Sequence, residues 1–171
     1  MTHLSPIEQV GAQLLRVHNM IYQKTNGWIG HRIPGAPPSL LLHTTGAKTG
    51  RPRTTSLTYA RDGESYLIVA SNAGADRYPG WYHNLQKHPD AEINVGPKRF
   101  AVTAQRVTPD DQDYLRLWQI VNKNNANRYT GYQRKTSRPI PIIVLRPAGD
   151  STAGLSWVSA VAPAINLTVN A

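Results

Sequence analysis

Several of the apolar segments of this chain are separated by connections too short to carry a crossover helix. Residues 40–45 (Leu40-Leu41-Leu42-His43-Thr44-Thr45) are followed by the loop 46–52 and then by the threonine-rich stretch 53–59. A turn at Arg61-Asp62-Gly63-Glu64, with hairpin chemistry, leads into residues 66–71. Residues 91–95 reach 99–107 through a short turn at Gly96-Pro97. Parallel neighbours need about a dozen residues between them, usually a helix, whereas antiparallel neighbours need only a turn. The spacing therefore predicts an antiparallel meander. With residues 140–145 it has six strands, enough to curl into a small barrel with helices outside, a mainly β (α+β) fold. A Rossmann domain does not fit.

Residue periodicity supports this reading. Phe100, Val102 and Ala104 alternate with Arg99, Thr103 and Gln105, as in a half-buried strand. Val10, Leu14, Val17 and Ile21 recur three or four apart and predict an amphipathic helix over 6–24. A Gly- and Pro-rich connector then runs to residue 38. A short helix is expected over 79–88, and another after Thr108 as N-cap and Pro109 as first helical residue, running to about 122. Residues 124–138 read as a polar loop bearing tyrosines. Pro139 and Pro141 place the start of the last strand at a sheet edge. One domain is expected over 1–147, with 148–171 an extension whose segment 155–161 adds a strand, a partner contact or nothing.

Composition narrows the function. The 171 residues contain no cysteine, which excludes disulfides, thiolate metal sites and cysteine nucleophiles. No apolar run approaches the ~18 residues of a membrane span, and no signal peptide stands out, so the cytoplasm is the expected compartment. Nineteen Lys and Arg against ten Asp and Glu give a net charge of +9. No acid lies between Glu8 and Asp62, an interval holding Arg16, Lys24, Arg32, Lys48, Arg51, Arg53 and Arg61. A second acid-free interval, 114–149, carries Arg116, Lys123, Arg128, Arg134, Lys135, Arg138 and Arg146. Such a field attracts nucleic acid, an anionic membrane surface or an anionic small molecule, or serves solubility. Nucleic acid is set aside: there is no recognition helix dense in Arg and Lys, and no aromatics interleave with the basic loop. The 6–24 helix offers a modest apolar face for peripheral membrane contact.

Four segments carry candidate chemistry. Thr44-Thr45-Gly46-Ala47-Lys48-Thr49-Gly50-Arg51-Pro52-Arg53 has the parts of a phosphate or carboxylate cradle: glycines that let the backbone approach a ligand, hydroxyls and three cations. A solvated hairpin tip has the same composition. Its glycine spacing is not that of a Walker loop, and a strand follows it. Ala70-Ser71-Asn72-Ala73-Gly74-Ala75-Asp76 ends a strand in small residues, leaving backbone donors and room for a flat ring, or is an ordinary strand exit. Pro79-Gly80-Trp81-Tyr82-His83-Asn84-Leu85 puts Trp81 and Leu85 on one helical face, as core residues, with a gap at Gly80. Tyr129 and Tyr132, three apart, are suited to stacking on a planar substrate or donating to a developing oxyanion, or are surface tyrosines. The six histidines lack metal-ligand spacing, and His43 reads as a satisfied core residue. Asp110, Asp111 and Asp113 sit where a helix dipole accounts for them.

In order, 41–53, 69–75, 79–85 and Arg138-Pro139-Ile140-Pro141-Ile142 resemble the deazaflavin-dependent nitroreductase family of actinobacterial split-barrel proteins, over about residues 28–147. The resemblance implies a split β-barrel related to flavin-mononucleotide-binding proteins and the 8-hydroxy-5-deazaflavin coenzyme F420. That coenzyme's phosphate and polyglutamate tail would give the positive charge a partner. By the same resemblance Lys48, Thr49, Gly50, Arg51 and Arg53 hold phosphate and tail. Thr55, Ser56, Ala70, Ser71, Asn72, Ala75 and Gly80 line the ring, Trp81 anchors that wall, and Tyr129 and Tyr132 border the substrate. Two departures stand out: Ala47 where the family often has Arg, and Gly80 where it often has a bulkier residue. The implied reaction is hydride transfer from the reduced deazaflavin to a quinone, enone or nitro acceptor. A non-catalytic deazaflavin carrier and an FMN-binding reductase of the same fold are the alternatives.

Overall fold

The computed structural model describes residues 37–149. The helix expected over 6–24, its membrane contact and the 150–171 tail lie outside the described residues. Seven strands form one antiparallel sheet in the order β2-β1-β5-β6-β7-β4-β3. They are β1 (Ser39–Thr45), β2 (Pro52–Thr58), β3 (Ala60–Asp62), β4 (Ser65–Val69), β5 (Asp90–Val95), β6 (Lys98–Val107) and β7 (Ile142–Pro147). The seventh arises because the stretch expected as one strand over 53–59 continues through Tyr59 into β3. The two outermost strands are thus joined by a single residue, and the sheet must curl until its edges meet there. Tyr59 is fixed by long-range bonds: its N–H donates to Pro38 O at 3.1 Å, and its carbonyl accepts from Asn124 Nδ2 at 2.9 Å.

Two cores result. Inside the curl, Leu40, Leu42, Tyr66, Ile68, Ile93, Val102, Ile143 and Leu145 pack against Trp81, Tyr82 and Leu85 of α1 (Gly80–Lys87), which plugs one end. On the outer face, Leu67, Val69, Ile142 and Val144 are covered by Tyr114, Leu117 and Val121 of α2 (Tyr114–Asn124) and by Tyr129 of α3 (Arg128–Gln133). β4 and β7 are therefore buried on both sides, and their sequences read as unbroken apolar runs rather than alternations.

Three expectations are corrected. β7 lies between β6 and β4, not at an edge; both prolines precede Ile142, so their missing N–H groups cost the ladder nothing. The second predicted helix opens at Tyr114 rather than Pro109. The Asp111 carboxylate accepts from Thr108 N at 2.6 Å and Thr108 Oγ1 at 2.9 Å, closing a separate turn. Within 124–138 the chain forms α3, secured where Asn122 Oδ1 accepts from Thr130 N at 3.0 Å. No helix among the described residues is long and apolar enough to cross a membrane.

Candidate active site

Between the β1–β2 hairpin and the first turns of α1 lies a cavity of about 900 Å³, lined by Gly46, Lys48, Thr49, Arg53, Gly80 and Trp81 among others. Its geometry follows from register. Thr44 pairs with Arg53 and Leu42 with Thr55. Arg53 and Thr55 therefore share the inward face with Leu40 and Leu42, and they emerge where α1 leaves the barrel mouth partly open.

The hairpin loop is rigidly closed. Gly46 N donates to Arg51 O at 2.9 Å and Gly50 N to Gly46 O at 2.8 Å, with Gly50 at φ +66°. The helix holds the loop from the side: Ala47 N donates to Asn84 Oδ1 at 2.9 Å, Asn84 Nδ2 to Thr44 Oγ1 at 2.9 Å, and Lys87 Nζ to Ala47 O at 2.8 Å. Lys48, Arg51 and Arg53 are exposed and, among the described residues, have no acidic partner. Lys48 N and Thr49 N likewise have no acceptor among them. Unneutralised cations above unclaimed amides form an anion seat. A Cβ built at Gly80 meets nothing within 4 Å, so the missing side chain is open cavity.

Of the sequence-derived candidates, the structure gathers Lys48, Thr49, Arg53, Thr55, Gly80 and Trp81 around one cavity. Gly50 and Arg51 belong to the same loop without lining it. Ser56 is half-buried on the opposite face of β2. Ala70, Ser71, Asn72 and Ala75 form a separate turn, with Asn72 at φ +47° and Ala73 at φ +54°. Arg138 braces that turn: Nε donates to Ala75 O at 2.7 Å, Nη1 to Ala70 O at 3.2 Å and Nη2 to Ser71 O at 2.7 Å. The same guanidinium lies 4.4 Å from the centre of the Tyr78 ring. A Cβ on Gly74 would fall 2.7 Å from Tyr132 O, so the turn is packed directly against α3.

Tyr129 is buried beside Trp118, and burial pushes its phenol up to about 12; its ring meets that of Tyr132 edge-on at 6.1 Å. Tyr132 is only half-buried. His43 is satisfied on both nitrogens, with Thr54 Oγ1 at 2.9 Å and Asn94 Oδ1 at 2.7 Å. His83 and Asn84 also line the cavity and were not singled out from sequence. A helix face opposite Trp81 and Leu85 was the available signal. Among the described residues no cluster of His, Asp or Glu is arranged to hold a metal ion.

The family model for F420H(2)-dependent quinone reductase matches residues 14–147. An F420H(2)-dependent quinone reductase of Mycobacterium tuberculosis is 76% identical over 136 residues, covering 80% of this chain and 91% of that protein. Among solved structures, an F420-H2-dependent reductase is 30% identical with a TM-score of 0.58, over 64% of this chain and 94% of the other. A structure described as a domain-swapped dimer is 28% identical with a TM-score of 0.59, over 83% and 100%. The matches span the curled sheet, the cavity loop and α1 together, and the chain belongs to the F420H(2)-dependent quinone reductase family.

Proposed function

We propose that this chain reduces quinone-class acceptors with reduced F420 seated in the cavity between the β1–β2 hairpin and α1. The observation that carries the reading is the rim of that cavity, where Lys48 and Arg53 stand without acidic partners beside the open amides of Lys48 and Thr49. An anionic coenzyme fits these residues: charge is met by charge at the rim, and the space where a Gly80 side chain would stand is open. Bound there, the reduced deazaflavin supplies the hydride.

The remaining work falls to the protein. Lys48 and Arg53 hold phosphate and carboxylates, and Arg51, exposed on the outer side of the loop, extends the grip along the tail. Thr55, Gly80 and Trp81 border the ring. Ser71, Asn72 and Ala75, on the separate turn that Arg138 keeps in shape, are assigned to the ring's other side by the family resemblance. Negative charge builds on an acceptor oxygen as hydride arrives, and a phenol donating there lowers the barrier. Tyr132, the more accessible phenol, takes that role. Tyr129 keeps its proton throughout the neutral range and supports the Tyr132 ring.

The test is Lys48→Ala combined with Arg53→Ala. Coenzyme affinity falls by roughly 30–100-fold at low ionic strength, two charged contacts at about 1–1.4 kcal/mol each. The deficit shrinks in high salt, and turnover at saturating coenzyme changes by less than about twofold. Collapse of saturated turnover with unchanged affinity refutes the assignment, as does tighter binding of FMN than of F420.

A further inference from the structure

We propose that Asn84 and Lys87 of α1 are positioning residues that aim the loop amides at the coenzyme's phosphate; this rests on the cavity reading above. Both peptide groups that flank the Ala47 Cα are held. The Ala47 N–H donates to Asn84 Oδ1 at 2.9 Å and its carbonyl accepts from Lys87 Nζ at 2.8 Å. The Asn84 amide has one workable orientation, because Ala47 N–H can only donate and must face the oxygen. That leaves Nδ2 for Thr44 Oγ1, at 2.9 Å. Thr44 is 6% exposed and sits on β1, so the clamp is grounded in the sheet rather than in the loop it controls.

The consequence is directional. No peptide bond among the described residues is cis. In a trans peptide the N–H points opposite to the C=O. With Ala47 O drawn onto Lys87, the last residue of α1, the N–H of Lys48 points away from Lys87 Nζ. Lys48 and Thr49 both line the cavity, and neither amide has an acceptor among the described residues. Two successive open amides, the first of them on a peptide fixed by Lys87, match phosphate or carboxylate oxygens, which take several donors at once.

The selectivity of binding tests this. Affinity is measured by fluorescence titration for two ligands, F420 and its phosphate-free deazaflavin riboside. The unmodified protein prefers F420. Asn84→Ala lowers F420 affinity by about tenfold, one lost oriented anion contact, and leaves the riboside within about twofold. Asn84→Asp keeps an acceptor for Ala47 N–H but loses the donor to Thr44 and adds a negative charge, so it binds F420 more weakly still at low salt. Lys87→Met, at an exposed helix end, gives the same selective loss on a smaller scale and serves if Asn84→Ala folds poorly. Equal loss for both ligands, or none in either variant, overturns the inference. Failure of the unmodified protein to distinguish the two ligands overturns the cavity reading itself.

Discussion

Replacing Arg138 by Met should remove about 4 kcal/mol of stability, although the residue touches no acid among the described residues. Its guanidinium donates to three main-chain carbonyls of the 70–75 turn and lies over the Tyr78 ring. Ala75 is exposed and its carbonyl regains water. Ala70 and Ser71 are 0% and 7% exposed, so neither carbonyl regains water freely, although Ser71 O keeps the bond from Gly74 N at 2.9 Å. Two charge-assisted hydrogen bonds at roughly 1.5–2 kcal/mol each and a cation–π contact of about 0.5–1 kcal/mol give that total. Methionine fills the stem volume, which isolates the polar loss from a cavity effect. Urea unfolding followed by circular dichroism measures it: with a slope of about 2 kcal/mol per molar, the midpoint drops by about 2 M at unchanged slope. Arg138→Lys recovers less than half, because an ammonium cannot reproduce the planar fork. A Met variant within about 1 kcal/mol of the parent refutes the claim that one guanidinium holds the turn.

Gly80→Ala should fold normally, since its Cβ meets nothing within 4 Å, and should weaken coenzyme or acceptor binding by filling the cavity, seen as a raised Kd or KM. Gly46→Ala makes the contrast: its Cβ would lie 2.8 Å from Thr49 Oγ1 and 3.1 Å from Arg51 O, so the loop must shift and thermal stability falls. Tyr132→Phe should lower kcat by about tenfold or more with little change in coenzyme Kd, measured under anaerobic turnover with a quinone. The bidentate bond from Arg116, at 2.8 and 3.0 Å, holds the Asp62 carboxyl below its usual value. A depressed folded-state pKa contributes stability above the unfolded value, near pH 4, and loses it as pH falls further. Arg116→Met therefore lowers the melting temperature slightly at pH 7 for this solvent-screened pair, and the difference from the parent closes toward pH 3 in a thermal series.

Local chemistry made the meander legible, because short connections and a Gly-containing turn constrain the chain wherever they occur. The seventh strand was not legible: Tyr59 interrupts the pairing through Pro38 and Asn124, one of them 65 residues away. α3 was hidden for a similar reason, since its first turn depends on the Asn122 side chain rather than on apolar spacing. At the cavity, Lys48 and Arg53 were visible as charges on a glycine-bearing loop. The bracing roles of Asn84 there and of Arg138 at the 70–75 turn were not, because both act on main-chain atoms 37 to 68 residues distant, and a neutral amide or a cation among many gives no local sign of that.

The periodicity of α1 ties the cavity to the fold. Trp81, Tyr82 and Leu85 face the barrel core, while Asn84 and Lys87 reach the loop. A helix anchored by three large side chains cannot rotate without disturbing the core, so the atoms that grip Ala47 are fixed as firmly as the core itself. Cations on an unrestrained loop would still attract an anionic coenzyme, because Coulomb attraction falls off slowly with distance. They would not hold it to an ångström. Hydride transfer requires donor and acceptor carbons at about 3–3.5 Å, and misplacement by ~1 Å can cost a hundredfold in rate. Attraction thus comes from the lysine and arginines, and placement from an amide and an ammonium on a helix whose other face is the hydrophobic core.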